Sequence, residues 1–120
     1  MRSELDQLRL PRDYVLLQET ASGSSLGFFG EHPKVQRQYR APRPIKPTCE
    51  EIEEAARAFA TLTREPSTQV HGERVVCSLG FRRRSFGGGI VARSAPSAER
   101  MERLGHEGEP FVRVDVQLTD

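Results

Sequence analysis

Residues 47–62 read PTCEEIEEAARAFATL and carry the clearest secondary-structure signal in the chain. Pro47 is the last residue before the predicted helix. Thr48 and Glu51 have the T-x-x-E spacing of a capping box, in which each side chain pairs with a free amide at the start of a helix. Apolar residues then recur every three or four positions, which is typical of a helix with one buried face. The pattern predicts an amphipathic helix from Thr48 to about Arg64.

The residues after this helix predict strands. Residues 73–81 and 112–118 alternate apolar and polar side chains, the two-residue period of a strand with one buried face. Residues 90–93 are a shorter candidate, joined to the first strand as a hairpin through a broad tip at 82–89. A short helix is expected at 97–104.

These elements predict an α+β fold. We expect a small, largely antiparallel sheet of three or four strands packed on one main amphipathic helix, with an extended N-terminal arm. The chain then divides into an arm at 1–47, which contains a short strand at 14–17, and a compact α+β domain at 48–120.

The arm carries a regular series of cations between positions 34 and 46, with no acid among them. Its prolines oppose helix and favour polyproline II, which has three residues per turn, so cations at every third position line one edge. A cationic edge fits an anionic partner, either a phosphate backbone or an acidic protein surface, and the tyrosine within it is a candidate stacking group. The alternative is a solvated linker. The candidate contacts are Lys34, Arg37, Tyr39, Arg40, Arg43 and Lys46.

The segment from Arg82 to Gly89 is a second candidate anion site. Arg82, Arg83 and Arg84 are followed by three glycines whose amides allow an anion to approach closely, as in a phosphate or RNA contact. The alternative is an exposed hairpin tip. Ser85 follows the arginines in a pattern that basic-directed kinases modify, so it is a candidate phosphorylation site.

Phe28 and Phe29 form a lone aromatic pair within the flexible residues 20–30. An aromatic pair in a loop usually anchors the loop. Two interpretations stay open, since the pair can fill the core of this protein or dock into a partner.

We predict no catalytic residue, no metal site and no cofactor. Cys49 and Cys77 lack the CxxC spacing of a zinc or redox site. His32, His71 and His106 lie on predicted loops, and nothing in the sequence pairs them with a nucleophile.

The overall charge is +1, which gives no global argument for binding nucleic acid or membrane. The first ten residues lack the apolar stretch of a secretory signal, and no window approaches the roughly 20 apolar residues of a membrane span. An intracellular protein is expected, cytoplasmic by default, with a mature organelle protein as the alternative.

The leading functional hypothesis is a non-enzymatic binding or structural subunit of a larger protein complex. Its basic arm and arginine-rich loop would contact an anionic partner, with RNA in a ribonucleoprotein as the first choice. One alternative is an adaptor or scaffold on an acidic protein surface, such as a cytoskeletal filament. The other is a small enzyme or ligand-binding protein for an anionic compound.

Overall fold

The computed structural model describes residues 2–22, 33–71, 74–94 and 112–119, and the structural statements below concern these residues. They form one six-stranded antiparallel sheet, with one helix of 15 residues packed on one of its faces. The elements in chain order are α1 (Arg2–Leu5), β1 (Val15–Ser22), β2 (Lys34–Ala41), α2 (Ile45–Phe59), β3 (Thr61–His71), β4 (Arg74–Arg83), β5 (Phe86–Arg93) and β6 (Val112–Thr119).

The strand order across the sheet is β1-β2-β6-β5-β4-β3. Helix α2 carries the chain from β2 to β3 at the far edge, and the strands then return one by one until β6 lies beside β2. As a result β6 is hydrogen-bonded on both sides, to β2 and to β5. The first and last strands of the chain therefore belong to the same sheet.

The core lies between α2, one face of the sheet and the residues that precede β1, which we call the N-terminal segment (residues 2–14). Apolar side chains at alternate positions of β4 and β6 are buried on this face. Leu5 of α1 is 1% exposed in the same core cluster. Besides Leu5 and Tyr14, the core cluster consists of Val35, Ala41, Ile52, Ala56, Phe59, Cys77, Leu79, Phe81, Ile90, Ala92, Val112, Val114, Val116 and Leu118.

The predicted fold class is wrong, because the sheet has six strands and dominates the structure. The prediction missed β2 and β3, whose sequences KVQRQYRA and TLTREPSTQVH are largely polar. Strand β3 lies at the edge of the sheet, where one of its sides faces solvent. In β2, the buried position 37 on the core side is an arginine, where an apolar residue is expected. Neither strand therefore shows the apolar alternation from which a strand is recognised.

The helix also begins and ends earlier than predicted. Pro44 is at its N-cap, and no side chain there makes a capping hydrogen bond. Thr48 is buried, and its hydroxyl donates to the carbonyl oxygens of Arg43 (3.1 Å) and Pro44 (2.8 Å), so the predicted capping box does not form. Pro47 lies within the first turn, where a backbone N–H has no intrahelical partner and proline is tolerated. The helix ends at Phe59, and Ala60 is already extended, so that β3 begins at Thr61.

The polyproline II prediction for the arm is wrong as well. Residues Lys34–Ala41 form β2, which pairs with β1 on one side and β6 on the other. Pro33 and Pro42 flank this strand, and since no proline lies within it, its amides are available to both neighbours. Side chains in a strand alternate between faces, so Lys34 and Arg40 lie on one face and Arg37 on the other.

The hairpin between β4 and β5 is tighter than the predicted broad tip. Strand β4 continues to Arg83, β5 begins at Phe86, and the turn consists of Arg84 and Ser85. Arg84 has φ 55°, the left-handed conformation that such a turn requires. The glycines that follow belong to β5. The aromatic pair at 28–29 and the predicted helix at 97–104 lie outside the described residues.

No helix in the described part of the chain is long and apolar enough to cross a membrane.

Gly88 and Gly87 provide a matched test of packing in β5. A Cβ atom at Gly88 would lie 2.1 Å from the Gln117 carbonyl oxygen and 2.9 Å from Cζ of Phe81, whereas one at Gly87 meets nothing within 4 Å. We predict that Gly88→Ala lowers the free energy of unfolding by about 3 kcal/mol, and that Gly87→Ala changes it by less than about 0.5 kcal/mol. Urea denaturation of the two variants measures both values. Equal effects would contradict the described packing of β5.

Candidate anion-binding face of the sheet

Arg37 lies on the core side of β2 and is 9% exposed. Its Nη2 is 2.6 Å from Asp6 Oδ1, and its Nε is 2.5 Å from Glu19 Oε2. A buried guanidinium requires such partners, because removing the charge from water costs several kcal/mol. Arg37 therefore links β2 both to the N-terminal segment and to the side chain of Glu19 on β1.

Arg43 makes a similar contact at the start of α2. It pairs with Asp13 through both terminal nitrogens and with Glu51 through Nε. The Tyr14 hydroxyl donates to Glu51 at 3.1 Å, and the Arg43 guanidinium lies over the Tyr14 ring. The hydrogen bond from Arg43 lowers the pKa of Asp13. This network holds residues 13 and 14 against the helix.

Arg83 and Arg84 at the β4–β5 hairpin face the N-terminal segment. Arg83 Nε is 2.8 Å from Glu4 Oε2, and its Nη1 donates to the Phe59 carbonyl oxygen, the last of α2, at 2.6 Å. Arg84 Nη1 is 3.1 Å from the second Glu4 oxygen. The hydrogen bond from Arg83 lowers the pKa of Glu4. Two of the three predicted loop arginines are thus paired within the protein.

The other residues predicted to contact an anion lie on different sides of the sheet. Tyr39 is half-buried and packs against the core, and Lys46 is exposed on α2. Lys34, Arg40 and Arg82 lie on the opposite side of the sheet from α2. We call that side the open face, because no described helix packs on it.

Three arginines form a row across the open face. Arg40 of β2 is directly opposite Arg113 of β6, and Arg113 is directly opposite Arg93 of β5. Side chains directly opposite on adjacent antiparallel strands have Cβ atoms about 5 Å apart. All three arginine residues are exposed. Register therefore gathers cations that are far apart in sequence into one line.

Positive charge extends over the rest of the open face. Asp115 is the only carboxylate that strand register assigns to the described part of this face. Its Oδ2 is 2.6 Å from Arg93 Nη1. Arg64 donates to the Ser78 hydroxyl at 3.1 Å. The cations assigned to the face by strand register are Lys34, Arg40, Arg64, Arg74, Arg82, Arg93 and Arg113.

Sequence reasoning found Arg40 but not Arg93 or Arg113. The alternation in 112–118 places Arg113 on the polar side of its strand, so its exposure was predictable. Its neighbours were not, because the pairing of β6 with β2 joins positions far apart in the chain.

The described residues contain no group of three or more His, Cys, Asp or Glu side chains placed to hold a metal ion. Burial raises the pKa of the Cys49 thiol to about 12, and the adjacent Cys77 thiol contributes to the increase. A thiol with a raised pKa is a poor nucleophile, because the thiolate is the reactive form. Of the three histidines, only the backbone of His71 is described.

Comparison of the chain with protein-family models, with curated proteins and with solved structures found no match.

Arg37 and Arg40 are neighbours on one strand with opposite environments. We predict that Arg37→Ala lowers the free energy of unfolding by about 3 kcal/mol, because it removes the buried guanidinium that binds both Asp6 and Glu19. The matched variant Arg40→Ala, on the open face, should change it by less than about 0.5 kcal/mol. Chemical denaturation at neutral pH measures both. A small effect of Arg37→Ala would show that its ion pairs do not hold the N-terminal segment.

Proposed function

We propose that this protein is a non-enzymatic subunit of a larger assembly and that it contacts an anionic partner, with RNA as the first choice, through the open face of its sheet. The observation that carries the proposal is the row formed by Arg40, Arg113 and Arg93. The basic residues predicted in the arm and the loop contribute to this surface only through Lys34, Arg40 and Arg82.

The row places like charges directly opposite one another on adjacent strands. Like charges directly opposite on adjacent strands destabilise a sheet by roughly 0.2–1 kcal/mol per pair. Asp115 offsets this for Arg93, to which it is bound. Phosphate groups of a partner would add counter-charge along the whole row, and guanidinium groups bind phosphate through two parallel hydrogen bonds.

The ion pairs on the other side of the sheet also favour the open face as the contact surface. Arg37, Arg43, Arg83 and Arg84 are matched by carboxylates of the protein itself. A partner would have to displace those carboxylates. The open face presents its cations with far fewer acids, so it is the more favourable contact for an anion.

The described part of the open face carries no Phe, Tyr or Trp on which a base could stack. Contacts should therefore be to the sugar-phosphate backbone, which gives little sequence preference and a strong dependence on salt. The same chemistry fits an acidic protein surface, which is the second candidate.

A double variant on the open face tests the proposal. We predict that Arg40→Gln with Arg113→Gln weakens binding to a single-stranded RNA. We also expect it to reduce the slope of log K against log salt by about 0.7 for each phosphate that the protein no longer neutralises. Fluorescence anisotropy over a series of salt concentrations measures both. The folded state should be retained, because the substitutions relieve like-charge opposition.

The matched control is Lys46→Gln with Arg57→Gln, which removes the same charge from exposed residues of α2. It should leave the salt slope unchanged. Equal losses in the two double variants would indicate a net-charge effect and contradict a contact at the open face. Binding to polyglutamate but not to RNA would favour the acidic protein partner.

A further inference from the structure

Asp115 lies within the arginine-rich open face and is 9% exposed. Its Oδ2 accepts a hydrogen bond from Arg93 Nη1 at 2.6 Å. Its Oδ1 is enclosed and has no hydrogen-bond partner among the described residues. Buried carboxylate oxygens in folded proteins are nearly always paired, so an unpaired one calls for an explanation.

The surroundings of Asp115 specify what kind of group would satisfy Oδ1. An ionised carboxylate only accepts hydrogen bonds, so the missing partner is a donor. The residues opposite Asp115 are Gln38 on β2 and Val91 on β5. Two residues further along the same face lies the row of Arg40, Arg113 and Arg93, which would bind phosphate. A ligand that fits both features carries a hydroxyl close to a phosphate group.

RNA has this combination in every nucleotide, because its ribose keeps the 2′-hydroxyl that DNA lacks. We propose, on the basis of the function proposed above, that Asp115 Oδ1 accepts a hydrogen bond from an RNA 2′-hydroxyl. The face thereby selects RNA over DNA. A carboxylate among phosphate-binding arginines also repels any polyanion that offers it no donor, so Asp115 disfavours DNA while the hydroxyl of RNA compensates.

Contact with Oδ1 requires a side chain beside it to move. The Arg93 side chain is 46% exposed, and Arg113 is an exposed residue. Arg93 already contacts the Asp115 carboxylate through Oδ2, and an exposed side chain of this kind changes rotamer within nanoseconds.

The test compares one sequence in three chemical forms by fluorescence anisotropy at low salt: RNA, DNA, and RNA with 2′-fluoro in place of 2′-hydroxyl. The 2′-fluoro form keeps the sugar shape of RNA but has no hydroxyl proton to donate. We expect the full chain to bind RNA about tenfold more tightly than either other form, the effect of one hydrogen bond to a charged acceptor. This comparison uses the unaltered protein and does not depend on whether any variant folds.

Asp115→Ala should remove the preference, bringing RNA and DNA to similar affinities without weakening DNA binding. Glu54→Gln, an equal change in charge on the exposed side of α2, should keep the preference. Equal binding of RNA and DNA by the unaltered protein, or 2′-fluoro binding as tight as RNA, would overturn the role of Asp115 and leave the proposed RNA contact standing. Binding to none of the three forms would overturn both proposals.

Discussion

The pairing of β2 with β6 is the constraint on which the rest of the structure depends. These two strands join the first hairpin, β1–β2, to the antiparallel run from β3 to β6 and make one sheet of them. Their register also decides which side chains share a face. It places Arg37 opposite Val116 on the core side and Arg40 opposite Arg113 on the other. A shift of one residue would exchange the two faces, burying one set of cations and exposing the apolar core.

The charges of the protein are divided according to this sheet. On the core side the arginines are matched by carboxylates, several of them from the N-terminal segment: Glu4 with Arg83, Asp6 with Arg37, and Asp13 with Arg43. These ion pairs and the buried Leu5 hold the segment where it covers part of the core. On the open face the cations outnumber the carboxylates among the described residues. A net charge of +1 conceals this separation of charge between the two sides of the sheet.

Predictability from the sequence followed the strength of the local pattern. The alternation in β4 and β6 and the apolar face of α2 were visible because each is mainly decided by burial of nearby residues. Strands β2 and β3 were missed because their pairing partners, and not their own apolar content, make them strands. The same limit applied to the site. The identity of the cations could be read directly, whereas their distribution between the two sides of the sheet depends on strand register and on contacts such as Glu4 with Arg83, which only the folded chain brings together.

The position of β6 between β2 and β5 also has a consequence for the order of folding. The β3–β4 and β4–β5 hairpins are joined by short connections, whereas β2 must find β6 across most of the chain, and such long-range pairing is slow. Until it does so, β6 is an edge strand with unpaired main-chain groups and a row of valines, which is the kind of edge that recruits other chains. The β1–β2 hairpin therefore acts as a late-arriving cover for that edge. Strand β2, which pairs directly with β6, is largely polar and contains two arginines, and charged residues of this kind reduce the tendency of an unpaired strand to recruit other chains.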